Sequence, residues 1–326
     1  MNTPDIASTS RTAGAVLDQV EQVVVGKRRP LELVLATILA GGHVLLEDFP
    51  GLGKTLAARS IAQTLGLRFT RAQFTPDLLP ADLTGSYVFD QSRREFDFRE
   101  GPLFTGLLLA DEINRTPPKT QSALLEAMQE RQVTVEGTTF PLPRPFHVVA
   151  TANPVEYEGT YPLPEAQLDR FLTRVSFGYP TLEEESDVLR RRVRRRQEET
   201  ALPALLDAEQ LLALQRTVEQ VDVEPTVIDY CVRLAAATRE HPLLQLGSSP
   251  RGSLALMLMA RAIAVLRGRD YVVPEDVKAV AVPVLAHRVS LRPELWMSEH
   301  TTTSAIRGLV GEVPAPPTVD AGEASA

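Results

Sequence analysis

Residues 43–55 read His-Val-Leu-Leu-Glu-Asp-Phe-Pro-Gly-Leu-Gly-Lys-Thr. An apolar strand-like run breaks there into a glycine-bearing loop, and a helical pattern follows over residues 54–65. A phosphate-binding loop needs that order: glycines let backbone N–H groups converge on the phosphate oxygens, and the helix N-terminus adds its dipole. Pro50, Gly51, Leu52, Gly53, Lys54, Thr55 and Leu56 form the candidate binding set. Lys54 is suited to the β- and γ-phosphates of a nucleotide and the Thr55 hydroxyl to Mg2+. The strict pattern G-x-x-x-x-G-K-[ST] has glycine where this chain has Asp48. A carboxylate turned into the loop there would repel phosphate.

Working outward, residues 67–72, 105–111, 145–151 and 172–177 are further apolar runs of strand length. Helical patterns lie between them, including 119–130, and this alternation predicts a parallel sheet covered on both faces. Residues 86–90 and 95–99 flank a polar turn, and 132–135 and 138–142 flank Glu136–Gly137; both read as inserted β-hairpins. Beyond residue 180 the pattern becomes all-helical, over 182–198, 207–221, 225–241, 250–267 and 274–287. Pro225, Pro250 and Pro274 open three of these segments, where the missing N–H costs nothing. The expected organisation is a disordered tail at 1–13, an α/β domain at 14–180, a helical domain at 181–311 and a second disordered tail at 312–326.

The run 107–112, Leu-Leu-Leu-Ala-Asp-Glu, ends an apolar strand on two carboxylates. After a phosphate loop in an α/β chain, such a pair points to ATP hydrolysis: Asp111 holds Mg2+ and Glu112 polarises the attacking water. Asn153 stands at the tip of the run 148–154. It would hold that water from the opposite side, or simply cap the turn before Pro154. Arg170 and Arg251 are candidates to offset charge on a γ-phosphate, though an arginine taken singly is more often a surface or ion-pair residue, so context must carry the assignment.

Composition removes several classes. The chain has 326 residues, 34 Lys and Arg against 42 Asp and Glu, and a formal charge of −8, which disfavours nucleic acid as the principal ligand. The arginine tract at 190–196 is flanked by acids that place Asp187 with Arg191, and Arg195 with Glu199, one helical turn apart, so it reads as a solvated, ion-paired helix. Cys231 is the single cysteine; with no zinc spacing and apolar neighbours it reads as a buried hydrophobe. No apolar run is long enough to span a bilayer and the N-terminus has no signal-peptide pattern, so a cytoplasmic location is the expectation.

The motifs EDFPGLGKT (47–55), QFTPDLLPADLTG (73–85), GPLF (101–104), LLLADEINRTPPKTQSALLEAMQERQVTV (107–135), ATANPVEYEGTYPLPEAQLDRF (150–171) and GSSPRG (247–252) resemble those of MoxR-type AAA+ ATPases, a group of the helix-2-insert clade. The resemblance implies an α/β AAA+ P-loop core with a parallel sheet and inserted β-hairpins, followed by an all-helical lid. It implies that Lys54 and Thr55 are Walker A residues, Asp111 and Glu112 Walker B, Asn153 sensor 1, Arg170 the arginine finger given to a neighbouring subunit and Arg251 sensor 2. Val25 and Gly26 resemble the segment lining the adenine pocket. It further implies a homo-oligomeric ring, commonly a hexamer, that uses ATP and Mg2+ to remodel or mature a protein client, often with a von Willebrand factor A domain protein. Two alternatives stay open at this point: a magnesium-chelatase-like subunit, and a nucleic-acid-translocating or restriction-type motor.

Overall fold

The computed structural model describes residues 5–154, 159–196 and 201–317. In chain order the elements are α1 (Ile6–Glu21), α2 (Arg28–Leu39), β1 (Val44–Glu47), α3 (Lys54–Thr64), β2 (Phe69–Gln73), α4 (Pro80–Thr84), β3 (Gly85–Asp90), β4 (Glu95–Glu100), β5 (Leu107–Asp111), α5 (Pro118–Glu130), β6 (Gln132–Val135), β7 (Thr138–Pro141), β8 (His147–Ala152), α6 (Glu165–Leu168) and β9 (Thr173–Val175). There follow α7 (Leu182–Arg195), α8 (Ala208–Glu219), α9 (Pro225–Glu240), β10 (Leu244–Leu246), α10 (Pro250–Leu266), α11 (Pro274–Leu285), β11 (Ser290–Leu291) and α12 (Thr302–Glu312).

Five strands form one parallel sheet in the order β2-β5-β8-β1-β9. Its strands are apolar in succession because both faces are covered. Val44, Leu46, Leu107, Leu109 and Val149 pack into one cluster with α1–α3 and α8–α12, whereas Leu45, Leu108, Ala110, Val148 and Ala150 pack into the other with α5 and the hairpin residues Val133 and Leu142. The period of two along each strand thus divides two cores. All the helices after α7 share one core with α1–α3, so the compositional change near residue 180 does not mark a separate core.

Both inserted hairpins form, β3 with β4 and β6 with β7. The β6–β7 turn has φ of 48° at Glu136 and 82° at Gly137, positive at both central residues as the two-residue hairpin turn requires. Phe98 of β4 stacks on Phe140 of β7, with ring centroids 4.0 Å apart and planes 9° apart, so the two hairpins support each other.

Three expectations need correction. Residues 6–13, expected as a disordered tail, are the first turns of α1; Asp5 caps them through the Ser8 N–H, and Thr9 and Ala13 are buried on the same stripe as Val16, Leu17 and Val20. Small and hydroxyl side chains made that stripe look polar. Glu312 closes α12, and Val313 and Ala315 lie partly buried against the core; the rest of the expected C-terminal tail, 318–326, lies outside the described residues, as do residues 1–4. The second half is also not purely helical, because β10 and β11 pair as a short antiparallel ribbon.

At the amino ends of β1 and β8 two histidines are fully buried, and their partners fix the tautomers. His43 accepts the Val148 N–H on Nδ1 at 2.9 Å and donates from Nε2 to the Met128 carbonyl at 3.2 Å. His147 donates from Nδ1 to the Gly42 carbonyl at 2.9 Å and takes the Gln215 amide on Nε2 at 3.1 Å. Burial lowers both below the ordinary 6.5, His43 to about 3 and His147 to about 4. Unfolded histidines bind a proton near pH 6.5, so the stability these two contribute is complete above pH 6.5 and is lost as pH falls towards the folded values. Urea denaturation is expected to show the unfolding free energy falling between pH 6.5 and 5 with a slope approaching about 1.4 kcal/mol per pH unit for each histidine. His147→Gln flattens that slope; an unchanged slope counts against the assignment.

Candidate functional site

The phosphate-loop candidate runs from the end of β1 to the start of α3. Gly51 and Gly53 both have φ of 81°, and nothing lies within 4 Å of where a Cβ would sit on either. Glycine is therefore required by backbone conformation, and the space beside it is open to an incoming group. Lys54 Nζ donates to the carbonyls of Asp48 at 2.5 Å and Phe49 at 3.1 Å, and Thr55 is exposed in the first turn of the helix.

Asp48 faces away from the loop. Its Oδ2 accepts from the Phe177 N–H at 2.5 Å, the Gly178 N–H at 2.9 Å and the Ser176 hydroxyl at 3.1 Å, with 5% of the residue exposed. The carboxylate that threatened to repel phosphate instead ties the loop to the segment leading from β9 into α7. The Val25–Gly26 turn lies beside the same segment: a Cβ on Gly26 would meet Glu184 of α7 at 2.2 Å, Lys27 donates to the Tyr179 carbonyl, and the Tyr179 ring contacts Phe49 of the loop.

Asp111 and Glu112 leave the carboxyl end of β5, two strands from β1, and Asn153 leaves β8 between them. The Asp111 carboxylate takes Thr151 Oγ on Oδ1 at 2.6 Å and the Arg71 guanidinium on Oδ2 at 2.7 and 2.9 Å. Thr151 Oγ also accepts the Glu112 N–H at 2.8 Å. Glu112 stands at φ 58°, a left-handed conformation uncommon for a residue with a Cβ. Its Oε2 accepts from Gln73 at 2.8 Å and pairs with Arg115 at 3.3 Å. Both carboxylates are thus held by partners from β2, β8 and the turn that follows them.

Arg170 and Arg251 lie elsewhere. They line one cleft of about 430 Å³ with Gly41, Gly42, His43 and Arg131, at the amino ends of β1 and β9. From there to the phosphate loop is the length of β1, about 13 Å at about 3.3 Å per residue, so neither guanidinium reaches the loop of its own chain. Asp169 joins the two segments, accepting from Arg288 at 2.8 Å and from Ser249, the cap of α10, at 3.1 Å. Burial pushes the Arg288 guanidinium below its ordinary value, and Asp169 opposes that shift.

Residues 43–173 match the ATPase family associated with various cellular activities (AAA), and residues 236–307 match the AAA lid domain. The chain is 49% identical over 303 residues to the uncharacterized protein YeaC of Bacillus subtilis (strain 168), covering 93% of this chain and 94% of that one. It is 43% identical over 320 residues to the chaperone MoxR1 of Mycobacterium tuberculosis, covering 95% and 84%. The crystal structure of a protein from Cytophaga hutchinsonii superposes with a TM-score of 0.89 at 40% identity, covering 96% and 97%. The chain is an AAA+ ATPase related to MoxR.

The sequence placed the loop, the paired carboxylates and Asn153 at the ends of strand-like runs, and the fold brings those strands together as β1, β5 and β8. The sequence did not reveal Arg71, Gln73 and Thr151. Arg71 and Gln73 lie on one face of β2, with Gln73 in register with Asp111, and Thr151 lies on β8; the mixed polarity of β2 carries no local sign of that face. Other expectations resolve simply. Cys231 is buried and its thiol is pushed up to about 12. Asp187 pairs with Arg191 at 2.7 Å, whereas Glu199 lies outside the described residues. Separately, among the described residues no helix is long and apolar enough to cross a membrane, and no group of three or more His, Cys, Asp or Glu residues is arranged to hold a metal ion.

The Asp48 clamp yields a counterintuitive prediction. Asp48→Gly restores the strict glycine pattern yet removes a charged acceptor from one buried and one part-buried N–H group and a hydroxyl, and is expected to cost about 2–3 kcal/mol of stability in urea denaturation. Equal or greater stability would mean that the clamp does not hold the loop.

Proposed function

We propose that this chain is a MoxR-type, helix-2-insert AAA+ ATPase that works as a homo-oligomeric ring, commonly a hexamer, and hydrolyses Mg-ATP to remodel or mature a protein client. The backbone of Pro50 to Leu56 cradles the phosphates, Lys54 reaches the β- and γ-phosphates, and Val25 and Gly26 line the adenine pocket. The exposed hydroxyl of Thr55 and the carboxylate of Asp111 would hold Mg2+, which would supply charge neutralisation for the phosphates. Glu112, oriented by Gln73 and Arg115, polarises the attacking water, and Asn153 positions it from β8.

One observation carries the ring: Arg170 and Arg251 share a cleft at the opposite end of the sheet from their own phosphate loop. An arginine finger and a sensor 2 so placed serve the nucleotide of a neighbouring copy, both in trans. The client is read as polypeptide from the β3–β4 hairpin. Phe89 and Phe96 make a tilted ring contact at its solvent end, 48% and 68% exposed with centroids 5.2 Å apart. Arg93, Arg94 and Arg99 are outnumbered there by Asp90, Glu95, Asp97 and Glu100, a surface that suits apolar chain better than nucleic acid. A chaperone role agrees with the name of MoxR1, and a von Willebrand factor A domain partner and a cytoplasmic location complete the proposal.

Arg170→Ala and Glu112→Gln are each expected to lack turnover while still binding ATP. Mixed one to one, they re-form about a quarter of the sites, because Arg170 of one variant completes the intact Glu112 of the other across a head-to-tail contact. ATPase assays of the mixture, and of the parent against concentration with mass photometry alongside, check this. A mixture as inactive as its parents, with parental activity independent of concentration, would sink the shared site.

A further inference from the structure

The cleft that holds Arg170 and Arg251 carries a third arginine with no assigned role. Arg131 caps the C-terminus of α5 in the left-handed conformation, φ 53°, a position that glycine or asparagine fills with less strain. Its guanidinium makes one long contact, Nη2 to the Gly41 carbonyl at 3.4 Å. Among the described residues no carboxylate lies within ion-pair distance of Arg131, Arg170 or Arg251.

The acids that line the cleft are already engaged. Asp169 is paired with Arg288 and Ser249, and Glu219 is paired with Arg261 at 3.1 Å. Three guanidiniums therefore face one cleft of about 430 Å³ without a counter-ion from their own chain. Such an arrangement calls for a polyanion, and planar guanidiniums match phosphate oxygens two at a time. The positive field of Arg131 also reaches the neighbouring His43 and His147 and helps to keep both neutral.

We propose that Arg131 is a further phosphate ligand in trans, binding the terminal phosphate of the neighbouring copy's ATP beside Arg170 and Arg251. This rests on the shared-site reading above. It adds a line of communication which that reading lacks. The short turn after Glu112 leads into α5, whose 13 residues span about 20 Å and end at Arg131. Gln121 of α5 donates to the Ile113 carbonyl at 3.1 Å, fixing the helix to that turn. One rigid helix thus runs from a subunit's own catalytic acid to its neighbour's phosphate.

The test is Arg131→Asn, which keeps a residue suited to the left-handed cap while removing the charge, with Arg131→Lys as the conservative partner. Binding of a fluorescent ATP analogue to dilute protein is expected within twofold of the parent, and the melting temperature is expected to be unchanged. Turnover of assembled protein falls at least tenfold for Arg131→Asn, is partly rescued in Arg131→Lys, and returns on mixing Arg131→Asn with Glu112→Gln subunits, which bring an intact Arg131. ATP-driven assembly in mass photometry shifts to higher protein concentration. Parental turnover and assembly in Arg131→Asn overturn the proposal. So does lost turnover with lowered melting temperature and no rescue in the mixture, which marks a structural cap. Complementation of Arg170→Ala by Glu112→Gln in the same experiment separates the two readings: if it succeeds while Arg131→Asn behaves as parent, only Arg131 falls, and if it fails, the shared site and this proposal fall together.

Discussion

Because β5, β8 and β1 are neighbours that run in one direction, everything attached to their carboxyl ends converges and everything attached to their amino ends is carried to the other side. The glycine loop, Asp111, Glu112 and Asn153 occupy the first end. Gly42, His43 and the arginine cleft occupy the second. A parallel sheet places its ligands at the carboxyl edge because helix N-termini and loose connections meet there. Residues at the amino edge are held by shorter, better-packed connections, and their charges face outward to whatever lies beyond the chain.

The carboxyl end is tied to its surroundings through buried and part-buried polar contacts. Asp48 fastens the loop to residues 176–178, which lead into α7, and Arg174 of β9 bonds both Glu47 of β1 and the Ala286 carbonyl after α11. Each is a charged group with its hydrogen bonds largely satisfied, so breaking one partner leaves the other uncompensated in a poorly polarisable setting. Rigid contacts of this kind transmit displacement. A shift of the loop on binding phosphate must move β9's exit or break the Asp48 bonds, and the helices after α7 share their core with α1–α3.

Much of this was legible from the chain. The strands at 107–111 and 147–152 announced themselves as apolar runs too short for helices, and the order loop, paired acids, polar strand tip is local in sequence. What escaped was non-local or concealed by composition. Arg71 and Gln73 act through partners 39 or 40 residues away, and an edge strand of mixed polarity gave no sign which face its charges would take. Asp48 looked like a defect in a motif, since nothing local shows that residues 176–178 offer it two N–H groups. Thr9 and Ala13 hid the start of α1 because they are small enough to be buried yet are counted among polar or neutral residues. The gathering of Arg131, Arg170 and Arg251 depends on three separate segments returning to the amino ends of β1 and β9, and no periodicity encodes that.

The separation of acid from arginine constrains how copies could meet in the proposed assembly. A two-fold dimer places one patch against itself. Here that would set three guanidiniums against three, or one nucleotide-bearing end against another, and neither charge is answered. Joining the arginine end of one copy to the nucleotide end of the next satisfies both, but it leaves an unmet end at each terminus of any open chain. Closure removes those ends, so the arrangement that answers every charge is a ring in which each nucleotide lies between two chains. In that proposed ring a single chain would hold an incomplete site, and assembly would be the step that joins the acid of one copy to the arginines of the next.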